Sequence, residues 1–414
     1  MSFLRWKNPL MLLFGIGVSN LGAWIYLIAL NLIVLDMTGS PLAVSVLYIL
    51  IPVATLFTNF WAGSFVDRLY QKRLMILLDV FRALFIFALP FFESLFLIYI
   101  FVFFINVASS IFEPTSMVYM TKLIPKSDRQ RFNALRNFIN SCGFILGPSI
   151  AGALFLIGSP YLAIYTNSIA LFISAMIIML LPNLKVIKEG EGQEKFNLKS
   201  IINDWKVILS YGKGHKHITV VYLLFGGVTV FMTALDSLEA AFATEVLLLS
   251  ESTYGFLVSI AGVGIVVGSL INAFLSKYLK INLLIGLGVI FTPVGYLIFS
   301  ISNKFAIAAI GFFLLTFSLS FANTGFFTFY QNNVPVNIMG RFSSVFGIIE
   351  AMMIIMFTIT IGLSAELFEI RPVYIIGSAV FLILGLIINI IVQRKSKSNY
   401  YNQKMSVEKS NLYR

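Results

Sequence analysis

The chain is poor in charge and in the residues from which catalytic and metal sites are usually built. Only 11% of its 414 residues are charged, against about 25% in soluble domains, which is too little to cover a water-facing surface. Cys142 is the one cysteine, so a disulfide or a cysteine metal site within the chain is excluded. The two histidines, His215 and His217, fall in a basic segment that we expect to be a solvated loop. These shortages argue against an enzyme and against a bound metal or cofactor.

Apolar residues are what the chain has in abundance. They make up 59% of it, they include 41 phenylalanines, and the mean hydropathy is +0.92. Phenylalanine suits a lipid-facing surface, and the 29 glycines suit close approach between membrane helices. We therefore expect a multi-pass protein whose solvent is the lipid bilayer.

Twelve apolar segments are long enough to cross a hydrocarbon core of about 30 Å, which takes about 20 helical residues. The one long polar segment, 183–216, separates six of them from the other six. The expected fold class is therefore an all-α membrane protein of twelve transmembrane helices, in two pseudo-symmetric six-helix bundles around a central cavity. The spans lie near residues 9–35, 42–65, 73–92, 95–121, 131–157, 160–182, 217–246, 253–276, 282–301, 304–331, 342–368 and 372–393.

Lysine and arginine are concentrated in alternate loops of the chain. If both termini are cytoplasmic, all 29 lysines and arginines except Arg82, Lys304 and Arg371 fall on the inner side. Because cytoplasmic loops of membrane proteins carry an excess of positive residues, this sorting predicts a cell-membrane protein with both termini inside. It also accounts for the net charge of +11 without a nucleic-acid partner.

The linker between the two sets of spans has a pattern of its own. Ile201, Trp205 and Ile208 recur at helical intervals between lysines, which predicts a short amphipathic helix on the inner leaflet, with a plain linker as the alternative. The polar tail is expected to be disordered. The expected domains are a bundle at 1–182, the cytoplasmic linker at 183–216, a bundle at 217–394 and a cytoplasmic tail at 395–414.

A charged hairpin, GSFVDRLYQKR at residues 63–73, joins spans two and three. A glycine four residues ahead of an acid, followed by basic residues, resembles the loop 2–3 signature of the major facilitator superfamily, with Tyr70 and Gln71 in place of its usual glycine and arginine. The Asp67 carboxylate can bond the positive N-terminus of a partner helix. We expect it to latch the cytoplasmic side shut against the start of span eleven. The latch residues are Gly63, Asp67, Arg68, Arg73 and Arg341.

Span five carries a second signature, GFILGPSIAGA at residues 143–153. Gly143, Gly147 and Ala151 fall four apart and form one small-residue stripe, while Pro148 kinks the helix. The string resembles the superfamily's span-five signature, which is associated with antiporters, with Ala151 before Gly152 where a pair of glycines is usual. Ordinary close helix packing is the alternative.

Three further strings, LLDVFRALFI, RFNALRN and MGRFSSVFG, are similar to the drug-exporting branch of that superfamily, which includes macrolide efflux proteins. The resemblance implies export of a small amphiphilic substrate, driven by protons. The expected partners are therefore this substrate, protons and the bilayer. A monomer is expected because it is the default for this architecture.

Ionisable residues inside spans are functional candidates because keeping them there is costly. Asp236 and Glu239 are one turn apart near the outer end of span seven, so the charge of one makes the other harder to ionise. The candidate proton carriers are Glu113, Asp236, Glu239 and Glu350.

One acid in span three has a basic partner within reach. Asp79 and Arg82 stand three residues apart and can pair on one face of the helix, as a structural or a functional ion pair.

The expected function is export of amphiphilic compounds by proton antiport with alternating access. Three alternatives stay open: a proton-coupled nutrient symporter, a lipid flippase on the same fold, and a sensor that has lost transport.

Overall fold

A computed structural model describes the chain except for residues 1, 39–40, 64–65, 67–68, 158, 185–197, 250, 277 and 402–414. Over these described residues the chain is helical and contains no strand. Eleven of the described helices are long and apolar enough to cross a membrane. The all-α class expected from the sequence is therefore confirmed.

Six helices precede the linker. The helix of span two ends at Asn59, before the end near residue 65 that the sequence predicted. Proline marks other helix ends: Pro90 lies in the 3₁₀ turn that closes span three, and Pro160 occupies the first turn of span six. The helices are α1 (Ser2–Thr38), α2 (Pro41–Asn59), α3 (Gln71–Ala88), α4 (Leu95–Leu123), α5 (Arg129–Ile157) and α6 (Pro160–Met179).

Among the described residues the linker contributes one helix, and six more long helices follow it. A short 3₁₀ segment, Lys395–Tyr400, comes after the last of them. The helices are α7 (Leu198–Gly214), α8 (Lys216–Asp236), α9 (Glu251–Phe274), α10 (Ile281–Ser300), α11 (Phe305–Asn333), α12 (Met339–Leu367) and α13 (Ile370–Val392).

Span seven is broken, whereas the sequence predicted one continuous span over 217–246. Helix α8 ends at Asp236, a turn follows, and the chain continues through one helical turn and a π-helix, Phe242–Val246. The Ser237 hydroxyl donates to the carbonyl oxygen of Ala234 at 2.7 Å. A side chain that bonds nearby backbone in this way offers an alternative to the helical hydrogen bonds. Short π-helical segments are rare and often occur at functional sites.

The chain divides into two compact units. The first comprises Met1–Ile124, Cys142–Tyr211 and Pro335–Ile348, and the second comprises Pro125–Ser141, Gly212–Val334 and Ile349–Arg414. In the first unit α1, α3, α4 and α6 meet around a mainly aliphatic core that includes Ile25, Ile86, Ile105 and Leu171. In the second unit α10 packs on α11 and α13, and the fully buried side chains there include Tyr296, Phe299, Tyr374 and Phe381.

The start of the C-terminal tail is ordered, which corrects the expectation of disorder from Lys395 onward. Tyr401 is only 4% exposed, and its ring stacks on Phe329 at 5.1 Å. Burial raises the pKa of the Tyr401 phenol, so this group stays protonated. Its oxygen lies 2.9 Å from Nε2 of His217. Asn333 also donates to the carbonyl oxygen of Tyr400 at 2.9 Å. His217 is therefore half-buried in a contact with the tail rather than in a solvated loop.

Candidate functional sites

Two carboxylates stand together where span seven is broken. Asp236 is the last residue of α8, and Glu239 begins the helical turn that follows. Tyr296 of α10 donates a hydrogen bond to Asp236 Oδ1 at 2.6 Å, and Tyr254 of α9 donates to Glu239 Oε1 at 2.7 Å. Each acid is thus bound by a neutral donor from a different helix. The structure brings together the pair that the sequence proposed and adds partners that the sequence did not indicate.

Aromatic rings surround this pair. Tyr296 and Tyr374 are both fully buried, and their ring centroids are 6.3 Å apart. Phe242, in the π-helix, lies 5.2 Å from Tyr374. Beside these rings, Glu239 is half-buried and Asp236 is exposed. We refer to Asp236, Glu239, Tyr254, Tyr296 and Tyr374 as the acid–tyrosine cluster.

The nearby cation Arg371 contacts Phe242 and Asn303. The guanidinium of Arg371, at the start of α13, lies over the ring of Phe242 at 5.5 Å. It donates to Asn303 Oδ1 at 2.7 Å. Arg371 therefore interacts with the surround of the cluster, while the hydrogen bonds of Asp236 and Glu239 come from tyrosines.

Glu350, the third candidate proton carrier, lies against α8. A side-chain hydrogen bond joins it to Thr229. Its Oε2 lies 3.2 Å from the point that a Cβ on Gly226 would occupy. This carboxyl is half-buried and fits a gap that the glycine leaves.

Glu113, the fourth candidate, has an exposed side chain on α4 of the first unit. Its backbone carbonyl accepts a hydrogen bond from Ser116 at 3.0 Å. The role of Glu113 as a proton carrier stays a prediction.

The Asp79 and Arg82 pair forms as the spacing indicated. The two side chains are in direct contact, and Asp79 is 0% exposed. Ser174 of α6 donates to Asp79 Oδ2 at 2.8 Å, and the guanidinium of Arg82 lies over Phe112 of α4 at 4.5 Å. The ion pair therefore ties α3 to both neighbouring helices, as expected of a structural role.

A second site in the first unit surrounds Gly63, just beyond the end of α2. A Cβ at this position would lie 2.7 Å from Cα of Arg341 and 2.8 Å from the carbonyl oxygen of Gly340. Atoms do not approach so closely without a shift, so only glycine allows the start of α12 to sit here. Gly63 lines a small cleft with Phe60, Asp204, Trp205, Arg341 and Ser344, among others. We call this the glycine cleft.

The linker helix α7 closes one side of the glycine cleft. Arg341 Nη1 donates to Asp204 Oδ1 at 2.9 Å, and both side chains are nearly buried. The indole of Trp205 donates to the carbonyl oxygen of Phe60 at 3.3 Å, and their rings are 5.7 Å apart. Arg341, expected in the latch, thus has an acidic partner on the linker that the sequence analysis did not single out.

The other expected latch residues have different positions. Asp67 and Arg68 lie outside the described residues, so their contact with α12 stays a prediction. Arg73 is exposed, and its guanidinium lies over the ring of Tyr70 at 5.2 Å. Gln71, which replaces the usual arginine, is buried, donates to the carbonyl oxygen of Val66 and accepts from Lys122, both at 3.0 Å.

The small-residue stripe of span five faces α1. A Cβ at Gly143 would collide with Asn20, and one at Gly147 would collide with Trp24. Gly152, in contrast, has nothing within 4 Å of such a Cβ. The side chain of Pro148 lies outside the described part of the chain. Close packing accounts for the first two glycines and leaves the antiporter role of the motif a prediction.

A polar strip between α5 and α11, inside the second unit, was not predicted. Asn133 donates to Gln331 Oε1 at 2.9 Å, and Asn137 donates to Thr324 Oγ1 at 3.1 Å. Arg129 donates to Asn332 Oδ1 at 3.0 Å. The signal was present in the sequence, because Arg129, Asn133 and Asn137 are spaced four apart and so share one helical face.

Comparison with known proteins gives a consistent result. Residues 12–358 match the model of a family described as the Major Facilitator Superfamily. The Uncharacterized MFS-type transporter YfiS of Bacillus subtilis (strain 168) is 24% identical over 421 residues, covering 96% of each chain.

Two solved structures are similar in fold. One is a bacterial homologue of the iron transporter ferroportin in an outward-facing state, with 16% identity and a TM-score of 0.71 over 93% of this chain and 98% of that one. The other is the E. coli fucose:proton symporter FucP, with 15% identity and a TM-score of 0.71 over 92% of this chain and 98% of that one. At these identities the likeness concerns the fold.

Proposed function

Because this chain belongs to the Major Facilitator Superfamily, and is therefore a multi-pass membrane transporter of small molecules with that superfamily's all-helical fold, we propose that it exports amphiphilic compounds in exchange for protons. The resemblance of its sequence strings to macrolide efflux proteins supports the substrate class. We further propose a cell-membrane location with both termini cytoplasmic, from the sorting of lysine and arginine. We also propose a monomer that needs no bound metal or cofactor.

The observation that carries the proposal is the acid–tyrosine cluster. Asp236 and Glu239 are one turn apart and are each hydrogen-bonded to a tyrosine rather than to a cation. Ionising both acids at once would set two negative charges side by side, and their mutual repulsion is costly. One proton held by the pair removes one of these charges. The pair is therefore suited to carry a proton in one direction while substrate moves in the other.

Exchange of protons for substrate follows if the transporter binds either a proton at the pair or a substrate, but not both. When the pair carries its proton the transporter returns without substrate, and when the pair is ionised it requires a substrate before it changes state. Neither step needs a covalent bond to form. Glu350, which bonds Thr229, is the second candidate for the carrier, because it too is held by a neutral hydroxyl.

The glycine cleft supplies a candidate gate. Gly63 from the end of span two, α7 from the linker and the start of α12 meet there inside the first unit. We propose that the Asp204–Arg341 ion pair forms in the state with a closed cytoplasmic side and breaks when that side opens. Asp67, the acid expected in this role, would then act beside Asp204 rather than alone.

Efflux from cells that express the chain tests the function. Erythromycin and the fluorescent amphiphile ethidium are loaded, and their exit is followed with and without a protonophore. Glu239→Gln is compared with Glu245→Gln, a matched control because Glu245 is exposed and lies in the neighbouring π-helix. We expect efflux that collapses with the protonophore and falls at least tenfold in Glu239→Gln, with the control unchanged.

Other results would redirect the proposal. Energised efflux that survives both Glu239→Gln and Asp236→Asn would move the carrier to Glu350. A lack of efflux of either compound above background would contradict drug export.

Inward symport is the second candidate, because the fold is shared with a fucose:proton symporter. Proton-driven uptake of radiolabelled fucose would favour it over export. Counterflow of a fluorescent lipid analogue would favour the flippase alternative.

A further inference from the structure

The acid–tyrosine cluster contains one hydroxyl that none of its hydrogen bonds uses. Tyr374 on α13 is 0% exposed. Among the residues whose side chains the structure describes, its phenolic oxygen has no hydrogen-bond partner. Its ring lies 5.2 Å from Phe242 and 5.4 Å from Phe299. A buried hydroxyl without a partner is costly to a protein, and each such group in a native structure calls for an explanation.

The position of Tyr374 supplies the explanation. Its ring centroid lies 6.3 Å from that of Tyr296, which already donates to Asp236. It also lies 5.2 Å from the ring of Phe242, at the start of the π-helix that follows Glu239. An ionised carboxylate has about four lone-pair sites, and the structure fills only one on each acid with a tyrosine. Acceptor sites therefore stand near an unused donor.

We propose that Tyr374 is a positioning residue of the carboxylate pair, whose hydroxyl donates a hydrogen bond when the pair loses its proton and so sets the pH of that loss. This inference rests on the proposed coupling role of Asp236 and Glu239. The departing proton goes from the carboxyl group to water, and the tyrosine keeps its own proton throughout. While the pair holds its proton, one carboxyl group is neutral and the remaining negative charge already accepts a hydrogen bond from Tyr296 or Tyr254.

The other charged groups around Tyr374 do not supply this donor. Asp236 and Glu239, the two acids of the cluster, are acceptors when ionised. Tyr254 of α9 and Tyr296 of α10 each already donate to one acid. Arg371, on the same helix as Tyr374, donates to Asn303 instead.

Carbodiimide labelling tests the inference without depending on transport. Dicyclohexylcarbodiimide reacts with protonated carboxyl groups, so mass spectrometry of peptides from the purified full-length protein reports the protonation of Asp236 and Glu239 at each pH. Losing a hydrogen bond to the charged form favours the protonated form. Tyr374→Phe should therefore raise the pH of half-labelling by about one unit, since such a bond is worth about one to two units.

Two further variants separate this role from a structural one. Tyr26→Phe is the matched control, because Tyr26 is another buried phenol without a partner among the described residues and packs on the aliphatic core of the first unit. It should leave the half-labelling pH unchanged. Tyr374→Gln, which keeps a donor without the ring, should bring the value back toward that of the unaltered protein.

The outcomes are distinguishable. Equal upward shifts in Tyr374→Phe and Tyr374→Gln would trace the effect to lost packing and overturn the inference. So would an unchanged half-labelling pH in Tyr374→Phe, although the coupling proposal would survive. A lack of labelling at any pH in the unaltered protein would overturn the coupling proposal itself.

Discussion

In the second unit the carboxylates of Asp236 and Glu239 are held by tyrosine hydroxyls, whereas in the first unit the carboxylate of Asp204 is held by the guanidinium of Arg341. The partners decide what each acid can do. A carboxylate held by neutral donors can take up a proton without breaking an ion pair. A carboxylate held by arginine is bound by charge, so its contact depends on the ion pair staying intact. The first arrangement suits a proton carrier, and the second suits a contact that either forms or breaks.

The two sites also differ in how closely their parts fit. The glycine cleft depends on backbone contact, with Gly63 directly against Arg341 and Gly340. The acid–tyrosine cluster depends on side chains that can rotate, and it sits at a broken helix. We therefore expect substitutions in the cleft to act through stability and gating, and substitutions in the cluster to act through pH dependence.

Breaking the Asp204–Arg341 pair should have the largest effect on stability. Removing one partner of a buried ion pair typically costs about 3–5 kcal/mol, because the other charge is left behind. Asp204→Ala and Arg341→Ala should each lower thermal stability and reduce efflux several-fold. The swap Asp204→Arg with Arg341→Asp should recover part of both. Single variants with normal melting temperature and efflux would remove this ion pair from the account.

Filling the space at Gly63 should have the next largest effect. A methyl group there meets the backbone of Arg341, and overpacking of this kind typically costs about 1–3 kcal/mol. Gly63→Ala should therefore slow efflux, measured at matched expression. Gly152→Ala is the control, because its added methyl group meets nothing within 4 Å. Equal behaviour of the two variants would contradict the close fit.

Removing a tyrosine donor from the cluster should change pH dependence more than stability. Tyr296→Phe deletes the 2.6 Å hydrogen bond to Asp236, so the ionised form loses support and the acid should keep its proton to a higher pH. We expect the half-labelling pH of Asp236 to rise by about one to two units. A fall in that pH would contradict the assigned direction of the hydrogen bond.

The contact between Tyr401 and His217 lies outside both sites, so a substitution there shows the effect of lost stability alone. Tyr401→Phe removes one hydrogen bond to His217 but keeps the stacked ring, so stability should fall by about 0.5–1.5 kcal/mol with transport unchanged. Thermal unfolding and efflux check both parts. A large loss of transport would mean that the tail takes part in gating.

The sequence predicted the features that depend on local pattern. Span number and order followed from apolar lengths, and the Asp236–Glu239 pair followed from spacing along one turn. It could not identify Tyr296, Tyr254 or Asp204 as partners, because these contacts join helices far apart in the chain. Asp204 did leave a local signal, since it lies three residues after Ile201 and four before Ile208, on the otherwise apolar face of the linker helix.

The break in span seven was missed for a different reason. Hydropathy continues through Val246, so an apolar count cannot detect a change in backbone geometry. The exposure of the Glu113 side chain could not be predicted, because a span assignment does not say which neighbours a given helical face contacts.

The most direct test of proton coupling uses purified protein in liposomes that contain a pH-sensitive dye. Erythromycin is added outside, and proton movement is recorded together with exchange of radiolabelled erythromycin between the two sides. The account predicts that Asp236→Asn with Glu239→Gln abolishes erythromycin-dependent proton movement while exchange continues, because the carrier is lost and the substrate path is kept. Proton movement of normal size in this double variant would contradict the claim that the acid–tyrosine cluster carries the proton.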